Sequence, residues 1–111
     1  MSKRNLLGTF ELTVMLALIR LEENAYGLAI AREIELRSGR DVSLGSIYAT
    51  LDRLEAKGLV CSKLGEPTAE RGGRAKKYFS VTAKGVREAR ETLRLLQQMW
   101  HGLPELEGRR A

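Results

Sequence analysis

Between Ser43 and Val81 the apolar residues change their period, and this restricts what the chain can fold into. Ile47, Leu51 and Leu54 recur at i, i+4 and i+7, the spacing of a helix with one buried face. Ser43 is a suitable N-cap, Lys57 falls in the last turn and Gly58 at C′, which predicts a helix over Leu44–Lys57. Leu59–Leu64 and Ala75–Val81 read as strands, the second because Phe79 and Val81 alternate with Tyr78 and Ser80. Gly65, Pro67, Gly72 and Gly73 between them rule out a helix and mark a long hairpin. The helix's outer side is expected to carry Ser46, Thr50, Arg53 and Lys57, flanked by Tyr48, Ala49 and Asp52. Short side chains of this kind let a helix backbone approach base edges in a major groove, whereas an ordinary solvated face more often carries long Glu/Lys pairs.

Charge marks the same region. The chain has a formal net charge of +5, yet residues 1–62 contain eight basic and eight acidic side chains. Residues 63–84 contain six basic and two acidic ones, so most of the excess lies in one short stretch. Its densest part, Arg71-Gly72-Gly73-Arg74-Ala75-Lys76-Lys77, holds four cations in seven residues. The glycines let backbone N–H groups reach phosphate oxygens, and the arginines can pair with phosphates or enter a minor groove. A localised positive field favours a polyanionic partner; the bland alternative is a solvated basic turn.

Three more helices are predicted. From Gly8 to about Leu21, with Thr9 as N-cap, Phe10, Val14, Ala17, Leu18 and Leu21 form one stripe. Leu12, Met15, Leu16 and Ile19 add apolar residues on other faces, and with Phe10 they are assigned to a subunit interface, since a three-helix domain offers one inner side. A second helix, capped by Asn24, runs from Ala25 to about Arg37 and places Tyr26, Ile30 and Ile34 inward. Gly27 in its first turn suits close approach of another backbone or a phosphate, Gly39 is a left-handed C′ residue, and Val42 is able to form a short strand. Thr82 caps a fourth helix to about His101, in which Val86, Ala89, Leu93, Leu96, Trp100 and Leu103 follow the 3-4 spacing of a heptad seam with a second chain. Gly102 and Pro104 end it.

At 111 residues the chain suits a single core, and no uncharged run is long enough to span a membrane. Glu11 interrupts the apolar run behind Lys3 and Arg4, which argues against a signal peptide. One cysteine, Cys61, is expected in a strand near the core, and the one histidine, His101, near a helix end. Neither belongs to a metal-ligand spacing, a phosphate loop or a nucleophile motif, so no enzyme activity, metal site or cofactor is expected. Trp100 has two readings, a seam residue or the lining of an apolar ligand cavity.

Helix, helix, helix, strand, loop and strand in this order make a winged helix-turn-helix, mainly α with a small β-hairpin. The segments LGTFELTVMLALIRL, AYGLAI, SLGSIYATLDRLEAKGLV and GEPTAERGGRAKKYFSVTAKG resemble the PadR-like family of bacterial transcription regulators, over residues 6 to about 85. The resemblance is to the short subgroup with a single C-terminal helix. It implies a cytoplasmic homodimeric repressor whose first and last helices make the dimer, and a pseudo-palindromic double-stranded DNA operator. It also implies that Ser46, Tyr48, Thr50 and Arg53, with the cap Ser43, contact the groove and its phosphates. Arg71, Gly72, Gly73, Arg74, Lys76 and Lys77 would be wing contacts, and Tyr26 and Gly27 would touch phosphate. Release by a small aromatic or hydrophobic effector is a further implication. The expected organisation is a DNA-binding domain over residues 1–82, a dimerisation helix over 83–103 and a loose tail over 104–111. A winged-helix module that binds protein instead of DNA is the alternative.

Overall fold

The computed structural model describes residues 7–67 and 75–107. Helix α1 (Thr9–Leu21) leads through a 3-10 turn (Glu22–Asn24) to α2 (Gly27–Ser38) and α3 (Leu44–Ala56). Strands β1 (Val60–Pro67) and β2 (Ala75–Val81) form an antiparallel hairpin, and α4 (Ala83–Trp100) follows. This is the winged helix-turn-helix order, with a C-terminal helix added.

Met15 and Leu18 of α1, Ile30 of α2, and Ile47, Leu51 and Leu54 of α3 are fully buried. Each such side chain contributes about 1.5–3 kcal/mol relative to exposure. Phe79 of β2 and Leu59 and Val60 at the start of the hairpin close the core from below. The strand register pairs Val60 with Val81 and Ser62 with Phe79, and shifts between Leu64 and Pro67. Gly65 thus lies inside β1 rather than in the turn.

Several helix ends differ from expectation, each because a competing partner takes the backbone. Gly8, not Thr9, caps α1, and its N–H donates to Glu11 Oε1 at 3.2 Å. Asn24 does not cap α2, which starts at Gly27. The Phe79 N–H donates to the Ala25 carbonyl at 2.8 Å, and Tyr26 pairs with Tyr78 as an isolated bridge, so the hairpin holds Ala25 out of the helix and Tyr26 extended. Val42 forms no strand; its N–H donates to Glu35 Oε2 at 3.1 Å. Ser43 and Thr82 cap α3 and α4 as expected, their hydroxyls accepting from the N–H groups of Ser46 and Gly85. Gly39 has the left-handed φ of 73° predicted for it.

The expected interface set needs correction. Leu12 and Met15 are buried inside the subunit, Met15 with 0% exposure, because α1 is packed by α2, α3, β2 and α4 rather than on one side. Ala89, at 4%, is likewise buried within its own subunit. Phe10 and Val86 are half-buried, while Leu16, Ile19, Leu93, Leu96, Trp100 and Leu103 are exposed. Cys61 is also exposed, on the hairpin's solvent face, with Sγ 3.2 Å from Ser80 Oγ. Of the tail expected over 104–111, residues 104–107 form a turn tied back by the Gly102 N–H, which donates to Glu107 Oε2 at 2.6 Å, and residues 108–111 lie outside the described residues.

The start of α4 touches the end of the helix-turn-helix unit. A Cβ at Gly85 would overlap the Leu59 carbonyl oxygen, a backbone atom that cannot swing aside. Gly85→Ala is therefore expected to destabilise the fold by about 1–3 kcal/mol. Gly45→Ala, which meets open space, should be neutral or stabilising by up to about 1 kcal/mol. Urea denaturation of the two variants checks this contrast.

Candidate nucleic-acid interface

Helix α3 divides into an inner face, an outer face and two flanks. The inner face is Ile47, Leu51 and Leu54, and Thr50 joins it with 1% exposure. At about 100° per residue Thr50 projects beside Ile47 and Leu54, so the expected groove contact for Thr50 is corrected: its side chain is in the core. The Arg53 Nη2 donates to its hydroxyl at 3.2 Å, which satisfies the buried oxygen. The outer face consists of Gly45, Ala49, Asp52 and Ala56, all exposed. Gly45 and Ala56 did not feature in the sequence reading, although their spacing from Ile47 and Leu51 puts them opposite the core. With no side chain longer than aspartate, this face can come close to another surface.

Each flank is tied to a different helix. On one side Tyr48 packs over the start of α2, where a Cβ at Gly27 would overlap its phenol oxygen. Gly27 therefore serves close approach of a side chain, not of another backbone. On the other side Lys57 Nζ donates to Glu11 Oε2 at 2.9 Å, and Arg53 Nε lies 3.7 Å from the same oxygen. Glu11 is 46 positions from Lys57 in the chain, so no local pattern announced the pair. Ser46 remains exposed beside the cap, with its hydroxyl 2.9 Å from that of Ser43.

The hairpin brings a positive group to the side of α2 on which Tyr48 lies. Lys76 Nζ lies 4.0 Å above the centroid of the Tyr26 ring, at the start of α2. The Tyr78 ring meets Tyr26 edge-on, with centroids 5.8 Å apart. Lys77 Nζ is 5.7 Å from the Phe79 ring centroid and exposed. Tyr26, Gly27, Tyr48 and Lys76 are thereby brought together. Arg71, Gly72, Gly73 and Arg74 lie outside the described residues.

Other chemistry is scarce. Among the described residues no group of three His, Cys, Asp or Glu side chains is placed to hold a metal, and no helix is long and apolar enough to cross a membrane. An open cleft of about 670 Å³ lies between α1, the 3-10 turn, the hairpin and α4, with Leu18, Ile19, Phe79 and Val86 in its wall and Glu22, Glu23 and Lys63 also lining it. Trp100 is not among its lining residues.

A helix with a small-residue outer face, a helix crossing behind it and a basic hairpin beside it define the winged-helix class. The chain belongs to the PadR-like family of transcriptional regulators, which matches residues 15–91. Its fold is similar to the X-ray structure of a PadR-like transcription factor from Bacteroides fragilis, at 25% identity and a TM-score of 0.74, covering 89% of this chain and 90% of that one. A PadR family transcriptional regulator from Eggerthella lenta is 28% identical, with a TM-score of 0.66 over 87% of this chain and 82% of that one. A PadR-like transcriptional regulator from Bacillus cereus shares the fold at 23% identity, with a TM-score of 0.73 over 93% and 95%. Comparison with curated proteins gives no significant match.

Glu11 makes the α3 flank sensitive to pH. Burial by itself raises its pKa, but the hydrogen bonds from Lys57 and the Gly8 N–H, and the charges of Lys57 and Arg53, outweigh it and hold the carboxyl below its ordinary value of 4.5. A depressed folded-state pKa contributes stability that is present above the unfolded value and lost as pH falls through the folded one. Urea midpoints of the wild type should therefore fall on acidification below about pH 4.5. Glu11→Gln should be less stable at neutral pH and lack that part of the acid dependence.

Proposed function

We propose that the chain is a cytoplasmic, homodimeric transcriptional repressor that binds a pseudo-palindromic double-stranded DNA operator without catalysis or cofactor. The observation that carries this reading is the outer face of α3: Gly45, Ala49, Asp52 and Ala56 stand exposed between Ser46 and Arg53 on one flank and Tyr48 on the other. A major groove about 12 Å wide admits a helix of this kind, and so short a face lets its flanking polar groups reach base edges and phosphates. Lys76 and Lys77 on β2 add phosphate contacts that favour affinity over sequence choice.

Dimerisation through α4 is supported by what that helix leaves uncovered. Leu96 is 47% exposed and Trp100 37%, and with Leu93 they keep the 3-4 spacing of a seam, while Leu103, expected to continue it, lies exposed beyond the end of the helix at Trp100. Leu16 and Ile19 of α1 are exposed as well. A two-fold pairing would present two α3 helices about 34 Å apart, one helical turn of DNA. Release by an apolar effector is supported by the open cleft, whose size lies in the range of small-molecule sites. Ile19 and Val86 belong both to that cleft and to the expected interface, so a ligand there would touch the seam.

DNA selected by the purified chain, followed by gel-shift on the recovered sequence, tests the reading. Ala49→Leu, exposed and free of core contacts, should leave stability nearly unchanged and abolish specific binding; unaltered binding would remove α3 from the groove. Lys76→Ala should weaken binding to all sequences alike and reduce the slope of log K against log salt by about 1. In sedimentation, Leu96→Asp should convert a dimer into a folded monomer, and an unchanged dimer would place the seam elsewhere.

A further inference from the structure

The wing lysine Lys76 is not free in solvent: its ammonium lies 4.0 Å above the Tyr26 ring centroid. Tyr26 is itself fixed, since it is the N-cap of α2 and bridges to Tyr78 through the backbone. The Tyr78 ring meets it at 69°, an edge-to-face contact that aligns the ring beneath the lysine. Tyr78 can take this position because Gly65 faces it from β1; a Cβ there would lie 2.6 Å from Tyr78 Cε1. These contacts direct one cation to the first turn of α2, where backbone N–H groups lack intrahelical partners.

We infer that Tyr26 is a positioning residue: its ring seats Lys76 so that the wing ammonium is held ready for a DNA backbone phosphate beside α2. This rests on the DNA-binding reading and deepens it. A free lysine loses side-chain entropy when it engages a phosphate, and a lysine already held over a ring loses less. Tyr26 thus acts on affinity through Lys76. Tyr78 and Gly65 act one step further back, by keeping the Tyr26 ring in place.

Two measurements test it. The first needs no DNA: the Lys76 ε-methylene protons should be shifted upfield by the ring current in wild type and in Tyr26→Phe, and not in Tyr26→Leu. The second is a double-mutant cycle on operator binding. Tyr26→Leu should weaken binding about two- to fivefold when Lys76 is present. It should have no such effect in the Lys76→Ala background, and Tyr26→Phe should retain the coupling to Lys76. Circular dichroism and thermal melts of each variant establish that it is folded. Equal losses in both backgrounds would make Tyr26 a merely structural residue and overturn the proposal. Unshifted Lys76 methylenes with intact wild-type DNA binding would overturn the seat alone. No DNA binding by the wild type would overturn the phosphate role together with the DNA reading.

Discussion

Burial of α1 is the constraint on which the subunit depends: α2, α3, α4 and β2 all pack against it. A helix this apolar would expose a large sticky surface if covered on one side alone. Here Val14, Met15, Ala17 and Leu18 are buried on a helix against which α2, α3, β2 and α4 pack. The helix-turn-helix, the hairpin and the C-terminal helix consequently share a core and cannot be treated as independent parts. Leu16 and Ile19 are what remains uncovered along it, a much smaller apolar strip than the whole second face.

The presentation of α3 shows how stability and function are divided along one helix. Its inner side anchors it through Ile47, Leu51 and Leu54, and its flanks are tied by Tyr48 to α2 and by Lys57 and Arg53 to Glu11. Lys57 and Arg53 are about half exposed, so the ion pairs contribute at most about 1 kcal/mol. Their importance is geometric: they restrict rotation of α3 about its own axis. The face left over is free of structural duties, and so its residues can be chosen for what the helix approaches.

Much of this was legible in the chain. The caps Ser43 and Thr82, the strand Ala75–Val81 and the left-handed Gly39 follow from local chemistry that nothing distant overrides. What was missed depends on contacts between distant residues. Asn24 looked like a cap because the competing partner of Ala25, the N–H of Phe79, lies far along the chain. Met15 looked like an interface residue because its burial depends on elements far along the chain packing against α1. Thr50 is a different case: its burial was implicit in the helical spacing, but its hydroxyl suggested a solvent face. Glu11 read as a first-turn carboxylate, and its larger role needs the end of α3 beside it.

The joint between α3 and α4 has a mechanical consequence. Gly85 lies against the carbonyl of Leu59, the Thr82 hydroxyl donates to the Gly58 carbonyl at 2.7 Å, and Lys84 Nζ donates to the Lys57 carbonyl at 3.2 Å. All three carbonyls belong to the short turn that ends α3. Helix α4 is thus one arm of a pair of calipers, seated directly on the turn that closes α3. A pivot of about 5° at the hinge carries the far end of a helix of 18 residues through about 2 Å. In a two-fold pair the same pivot would alter the span between the two α3 helices, so the angle at which two arms meet would set the distance between them.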